Sequence, residues 1–194
     1  MAGASVIGVS MDSGGVQDPP CSPQAITDRL RLDSSRNSHV VERFMEHVFL
    51  ADVLEELWIR RGRPAMVAHS EVDATGFDLA IQAIDEDAGH VLTTSVQLKA
   101  TLRGNNNPVK LNPKLWNHER GCLVWIRYWV QPDCTLGRTY LWHRCQRRPS
   151  DGAEVDATGV VLRHQETKGG DRIRVGGSNC EEVRSAELAD LLFS

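Results

Sequence analysis

The sequence predicts an α/β fold: a central mixed sheet of about four to six strands, with a long helix before it and a short one after it. Three observations carry that expectation. Apolar residues recur at helical spacing from His39 to Arg61, short strand-like runs separated by polar turns fill the middle of the chain, and a Leu/Phe stripe closes it at Ser185 to Phe193. With 194 residues, 41% hydrophobic and 25% charged, the chain suits one domain with an ordinary core and length to spare for tails.

The first 36 residues are expected to be a disordered or weakly ordered tail (1–36), ahead of a domain at 37–194. MDSGGVQDPPCSPQ is linker chemistry, and disorder is expected through roughly the first 25 residues, with at most a helical turn at Ala25 to Leu30. The helix that follows is capped by Asn37 or Ser38 and stopped by Gly62, with Pro64 beyond. Its apolar residues lie nearly all round, which predicts a mostly buried helix. On the helical wheel Glu46 falls between Val53 and Leu57, and Glu55 between Phe44 and Val48, so each is a carboxylate that needs a partner.

Ala65 to Glu71 reads as a first strand that leads into Val72 to Gly76, where Asp73 is either a second acidic group or a turn residue. Phe77 to Ile81 is an apolar strand with one carboxylate, Asp78, set into it; Asp85 to Gly89 breaks the chain; Ser95 to Ala100 is a second strand. Strict alternation in that second strand puts Val96, Leu98 and Ala100 on one face and Gln97, Lys99 and Thr101 on the other. If the two strands pair, Asp78 sits opposite Gln97 and Lys99. A carboxylate, an amide oxygen and an ammonium then share a small volume. That set suits phosphodiester hydrolysis. The carboxylate binds a hard cation such as Mg²⁺ through oxygen, the amide oxygen or a nearby backbone carbonyl adds a second ligand, and the lysine steadies the attacking water or the developing charge.

Further on, Val109 to Trp116 carries Lys110 and Lys114 but is interrupted by Pro113. Cys122 to Tyr128 and Thr139 to Cys145 are predicted hairpin partners, with Trp125, Trp129, Tyr140 and Trp142 as core or sheet aromatics. Arg138, His143, Arg144, Arg147 and Arg148 form a basic cluster. Val160 to Arg163 is read as a short strand or helical turn, and Arg172 to Val175 as a short strand.

Net charge is −4, which argues against a protein that coats nucleic acid without specificity, but a local basic groove is compatible with it. The five cysteines are scattered and never in CxxC spacing, so reduced thiols are expected rather than a disulfide framework or a zinc site. With neither a signal-peptide pattern nor an apolar run near the ~18 residues of a membrane span, a cytoplasmic protein with no membrane partner is expected.

At Gly76-Phe77-Asp78 and Gln97-Leu98-Lys99 the chain resembles the PD-(D/E)xK nuclease superfamily in its QxK variant. The wider pattern adds GCLVWI and the terminal ELADLLF. It looks like a small group of uncharacterised bacterial proteins placed with the restriction-endonuclease-like fold. The resemblance implies a three-layer α/β fold, with a central mixed sheet flanked by helices, and Mg²⁺- or Mn²⁺-dependent hydrolysis of DNA, in genome defence or mobile-element biology. It also implies that Asp78, Gln97 and a glutamate of the first helix hold the metal while Lys99 assists the attacking water. Glu46 is the chosen glutamate, with Glu42 and Glu55 as alternatives. Lys110, Lys114, Arg144, Arg147 and Arg148 are the candidates for phosphate contact. Two departures stand out: Phe77 precedes Asp78 where the motif name has proline, and neutral Gln97 replaces an acidic residue. The competing expectation is a catalytically inactive module of the same fold that binds nucleic acid or a protein partner, a second copy included.

Overall fold

The structure, a computed structural model, describes residues 22–70, 76–85, 89–105, 107–145, 164–165 and 172–193. Among the described residues three helices, α1 (Pro23–Arg36), α2 (Ser38–Leu54) and α3 (Ser185–Phe193), accompany nine strands. The strands are β1 (Ala65–His69), β2 (Leu79–Asp85), β3 (His90–Leu102), β4 (Val109–Leu111), β5 (Gly121–Val130), β6 (Leu136–Cys145), β7 (His164–Gln165), β8 (Arg172–Val175) and β9 (Glu181–Val183). Six of them form the main sheet in the order β1-β2-β3-β5-β6-β9, in which β3 and β5 are parallel and every other neighbour is antiparallel. The mixed sheet and the α/β class match the expectation. β4, β8 and β7 make a separate three-stranded sheet.

Among the described residues the helices do not flank the sheet on both sides. Met45, Phe49, Val53 and Leu57 from α2 and its extension, Leu188 and Leu192 from α3, and Leu30 from α1 all pack on one core with Leu79, Ile81, Val96 and Leu98. The opposite face is covered by the small sheet and the turn after β4: Leu111, Leu115 and Val175 pack there on Leu123, Trp125 and Leu141. The layers are therefore helices, main sheet and small sheet. Each fully buried side chain of this kind contributes roughly 1.5–3 kcal/mol relative to exposure, so both faces hold the central strands β3 and β5.

Two expectations about the helices need correction. Pro23–Arg36 lies inside the expected tail, yet it is a 14-residue helix. Its signals are local: Ser22 Oγ accepts the Ala25 N–H, and proline stands in the first turn. A long-range bond between Ser34 Oγ and the Tyr128 hydroxyl, at 3.0 Å, ties it to β5. Helix α2 is not buried all round, because a sheet covers only one side of it. Val41, Met45, Phe49 and Val53 face inward, whereas Val40, Phe44 and Trp58 are more than half exposed. After Leu54 the helix widens into a π-helical turn, Glu55–Arg60, which ends at Gly62 with φ +65°.

The cysteines also depart from expectation. Cys134, in the turn between β5 and β6, is in a disulfide, whereas Cys122, Cys145 and Cys180 are free thiols. Burial pushes the Cys122 thiol up to about 12 and raises Cys145 as well, so both act as core side chains rather than nucleophiles. Among the described residues no helix is long and apolar enough to cross a membrane.

Candidate active site

The site grows out of the way β2 and β3 separate. Their ladder begins at Leu79 opposite Val96 and runs away toward the hairpin. One residue before it, the Asp78 N–H still donates to the Val96 carbonyl at 2.9 Å. The next in-plane donor of β3, the Leu98 N–H, has no strand backbone opposite it, and Asp78 Oδ2 accepts it at 2.7 Å. Alternate residues of a strand turn both their N–H and their C=O to the same neighbour. The Leu98 carbonyl therefore opens on the Asp78 side of β3. On the other flank, the Asp78 carbonyl accepts the Ser70 N–H at 2.9 Å, just past the end of β1.

Gly76 fixes the approach to Asp78. Its φ is +83°, and a Cβ placed there would lie 3.0–3.1 Å from Leu115 N, Lys114 Cβ and Asn112 Cγ. The strand entry is thus pressed against the turn Pro113–Asn117, as only glycine allows. Phe77 stacks edge-on against His118, with ring centroids 4.9 Å apart.

These elements border an open cleft of about 550 Å³, lined by Glu42, Arg43, Glu46, Asp78, Leu98 and Lys99, with His39, His69, Ser70 and Ala100 at its margins. Burial is the main reason the Asp78 carboxyl lies above its ordinary range; the Leu98 N–H and the Lys99 charge pull it down, while Glu42 and Glu46 push it up further. Glu46 is largely covered. Its Oε1 takes the Arg43 guanidinium at 2.7 Å and lies 3.3 Å from His69 Nδ1.

The expected site residues divide. Asp78, Lys99 and Glu46 share the cleft, as does the alternative Glu42. Glu55 does not: it is exposed and paired with Arg60 at 3.0 Å, on the same open helix face as Phe44. Gln97 has the expected face but not the expected role. It is buried, does not line the cleft, and its Oε1 accepts the Asn112 N–H at 2.9 Å. The amide oxygen thus holds the turn after β4, next to Gly76, and it is the Leu98 backbone that faces the cleft.

The basic candidates do not converge. Lys110 on β4 and Lys114 on the following turn are exposed in the small-sheet layer. Arg144 shares its strand face with Tyr140 and Trp142, which belong to the helix-side core. Asp73, Arg147, Arg148 and the segment Val160 to Arg163 lie outside the described residues.

Sequence reasoning missed three features. Glu56, which the sequence reading does not single out, is buried and paired with Arg61 at 3.0 Å. Asp52 was passed over, yet its carboxylate accepts from both Arg138 and the Tyr140 hydroxyl. The serines of α1 and Arg103 line a second cavity beside the first. An aspartate among apolar helix positions was a readable signal for Asp52; the cavity had none. Comparison with family models, with curated proteins and with solved structures finds no match to this chain.

Proposed function

We propose that this chain is a metal-dependent nuclease that hydrolyses DNA phosphodiester bonds, as the resemblance to the PD-(D/E)xK superfamily implies. One observation carries the reading: Asp78 and Lys99 share a cleft with Glu42 and Glu46 at the point where the β2-β3 ladder opens. The donor chemistry suits Mg²⁺ or Mn²⁺. Asp78 is desolvated and crowded by two other carboxylates, a state that a hard cation relieves. Among the described residues no three His, Cys, Asp or Glu side chains already stand together as a cage. Mg²⁺ is commonly held by one or two carboxylates and keeps several waters.

Asp78 and the Leu98 carbonyl would hold the ion, with Glu46 or Glu42 reaching it through water; Gln97 is a positioning residue that fixes the neighbouring turn. When bound, the ion supplies charge stabilisation at the phosphate and a more acidic water. The chain's own part is to orient. The Leu98 N–H fixes the Asp78 carboxylate, Gly76 sets the strand that carries it, and Lys99 brings an ammonium to the charge that develops on the phosphate. A cytoplasmic setting fits a DNA substrate.

The test is cleavage of plasmid, linear duplex and single-stranded DNA with Mg²⁺ or Mn²⁺. Asp78→Ala and Lys99→Ala should each reduce the rate by about 10²-fold or more while the fold persists. The second reading is a catalytically inactive module that binds nucleic acid or a protein partner, and the observation favouring it is the neutral, inward-turned Gln97. Absence of cleavage on every substrate, together with no metal-dependent rise in melting temperature, would select it.

A further inference from the structure

A second cavity of about 570 Å³ adjoins the first. Glu42 and Ala100 line both. Past that divide the chemistry changes sign. The second cavity is lined by Arg31, Ser34, Ser35, Ser38 and Arg103. Glu42 is the carboxylate at its border, and Asp28 pairs with Arg31 at 3.1 Å from outside. That pair is exposed on both sides, so it is weak and exchangeable.

Arg103 is held ready by its surroundings. Its N–H donates to the Tyr128 carbonyl at 2.8 Å, and its guanidinium lies 4.8 Å above the Trp129 ring. The ring also packs directly on Gly137, where a Cβ would come within 2.4 Å of it. Stacking occupies the face of a guanidinium and leaves its in-plane N–H donors available to oxyanions. Ser34 Oγ is bonded to the Tyr128 hydroxyl and Ser35 Oγ donates to the Leu32 carbonyl at 2.7 Å, so the two arginines and the Ser38 hydroxyl are the groups that suit phosphate oxygens and sugar hydroxyls.

We infer that this cavity is a strand-binding subsite that holds a nucleotide next to the phosphate in the Asp78–Lys99 cleft, with Arg31 and Arg103 on its phosphate. The inference rests on the nuclease reading and deepens it. The substrate strand runs over the Glu42–Ala100 divide, so the protein requires at least one nucleotide beyond the bond it cuts.

The test is fluorescence anisotropy with end-labelled single-stranded and duplex DNA of about ten to fifteen nucleotides, in EDTA and across a salt series. Arg31→Ala and Arg103→Ala should each weaken binding about three- to tenfold and lower the slope of log K against log salt by about 0.7 to 1. Ser35→Glu removes no contact of the guanidinium groups and should weaken binding in the same direction. Arg60→Ala, on an exposed arginine that lines neither cavity, should change neither quantity. Unchanged affinity and slope in all three cavity variants, with wild-type cleavage intact, would overturn the subsite and leave the nuclease reading standing. A wild-type protein that neither binds nor cleaves DNA would overturn both.

Discussion

Two half-buried aspartates, Asp52 packed against β6 and Asp78 at the start of β2, are built in opposite ways. Asp52, on α2, accepts from Arg138 Nε at 2.6 Å and from the Tyr140 hydroxyl, and the second Arg138 nitrogen reaches its other oxygen. Its charge is answered in full by side chains on β6. The pairing in turn raises Arg138, while burial raises Tyr140. Asp78 is answered in part: one backbone N–H and the Lys99 charge oppose burial, Glu42 and Glu46. A carboxylate whose partners neutralise it fastens two elements together. One left short of positive charge, at the edge of an open cleft, is prepared for a cation or substrate from outside. The contrast separates an aspartate closed by its partners from one left partly unanswered, without reference to any other protein.

The largest stability effect should come from the closed pair. Asp52→Ala strands an arginine and a buried hydroxyl together, and urea unfolding should show a loss of about 2–3 kcal/mol with DNA cleavage per folded molecule unchanged. A loss no greater than at an exposed position such as Asp28 would dissolve the contrast. Next is Gly76→Ala, which must adopt a left-handed backbone and press on Leu115 and Asn112. It should cost about 1–3 kcal/mol and, by displacing Asp78, lower cleavage about tenfold or more at a temperature where the variant is folded.

Asp78→Asn should act the other way. A carboxyl raised in the folded state weakens folding once it ionises, so its penalty grows as pH rises from the ordinary carboxylate range through the raised folded value and is complete above it. In EDTA the asparagine variant should therefore melt higher than wild type at neutral pH, and the gain should vanish as pH falls toward 3.8, the ordinary value for this group. Calorimetry over a pH series reads this directly; a variant that melts lower at every pH would show that Asp78 is as well paired as Asp52. The smallest effect belongs to Gln97→Ala, which orphans the Asn112 N–H at a cost of about 1 kcal/mol. On the proposed reading Mg²⁺ or Mn²⁺ raises the wild-type melting temperature; Gln97→Ala should preserve that rise, and its loss would return Gln97 to the ligand set.

Much of the frame was legible because it rests on local rules. The β3 alternation put Val96 and Leu98 in the core, and Gln97 with Lys99 on the other face, since side chains of a strand alternate whatever surrounds it. The stop at Gly62 and the helix at Ser185–Phe193 follow from capping and apolar spacing in the same way. Helix α1 was underestimated because a Pro- and Ser-rich approach reads as linker, although the same residues start a helix at Ser22 and Pro23. Helix α2 was overestimated because the wheel shows which positions are apolar but not how many sides have a neighbour.

The sequence by itself determined the α/β class, the closing helix and the alternation of β3 that sets Gln97 and Lys99 against Val96 and Leu98, all of which depend on short-range periodicity and side-chain chemistry. Tertiary structure alone decided which glutamates share the cleft, that Gln97 serves the turn after β4, that Asp52 is closed by Arg138, and that a basic cavity lies beside an acidic one. Those facts depend on contacts between segments 15 to 86 residues apart. Separation along a chain does not fix a distance until the sheet brings the segments together.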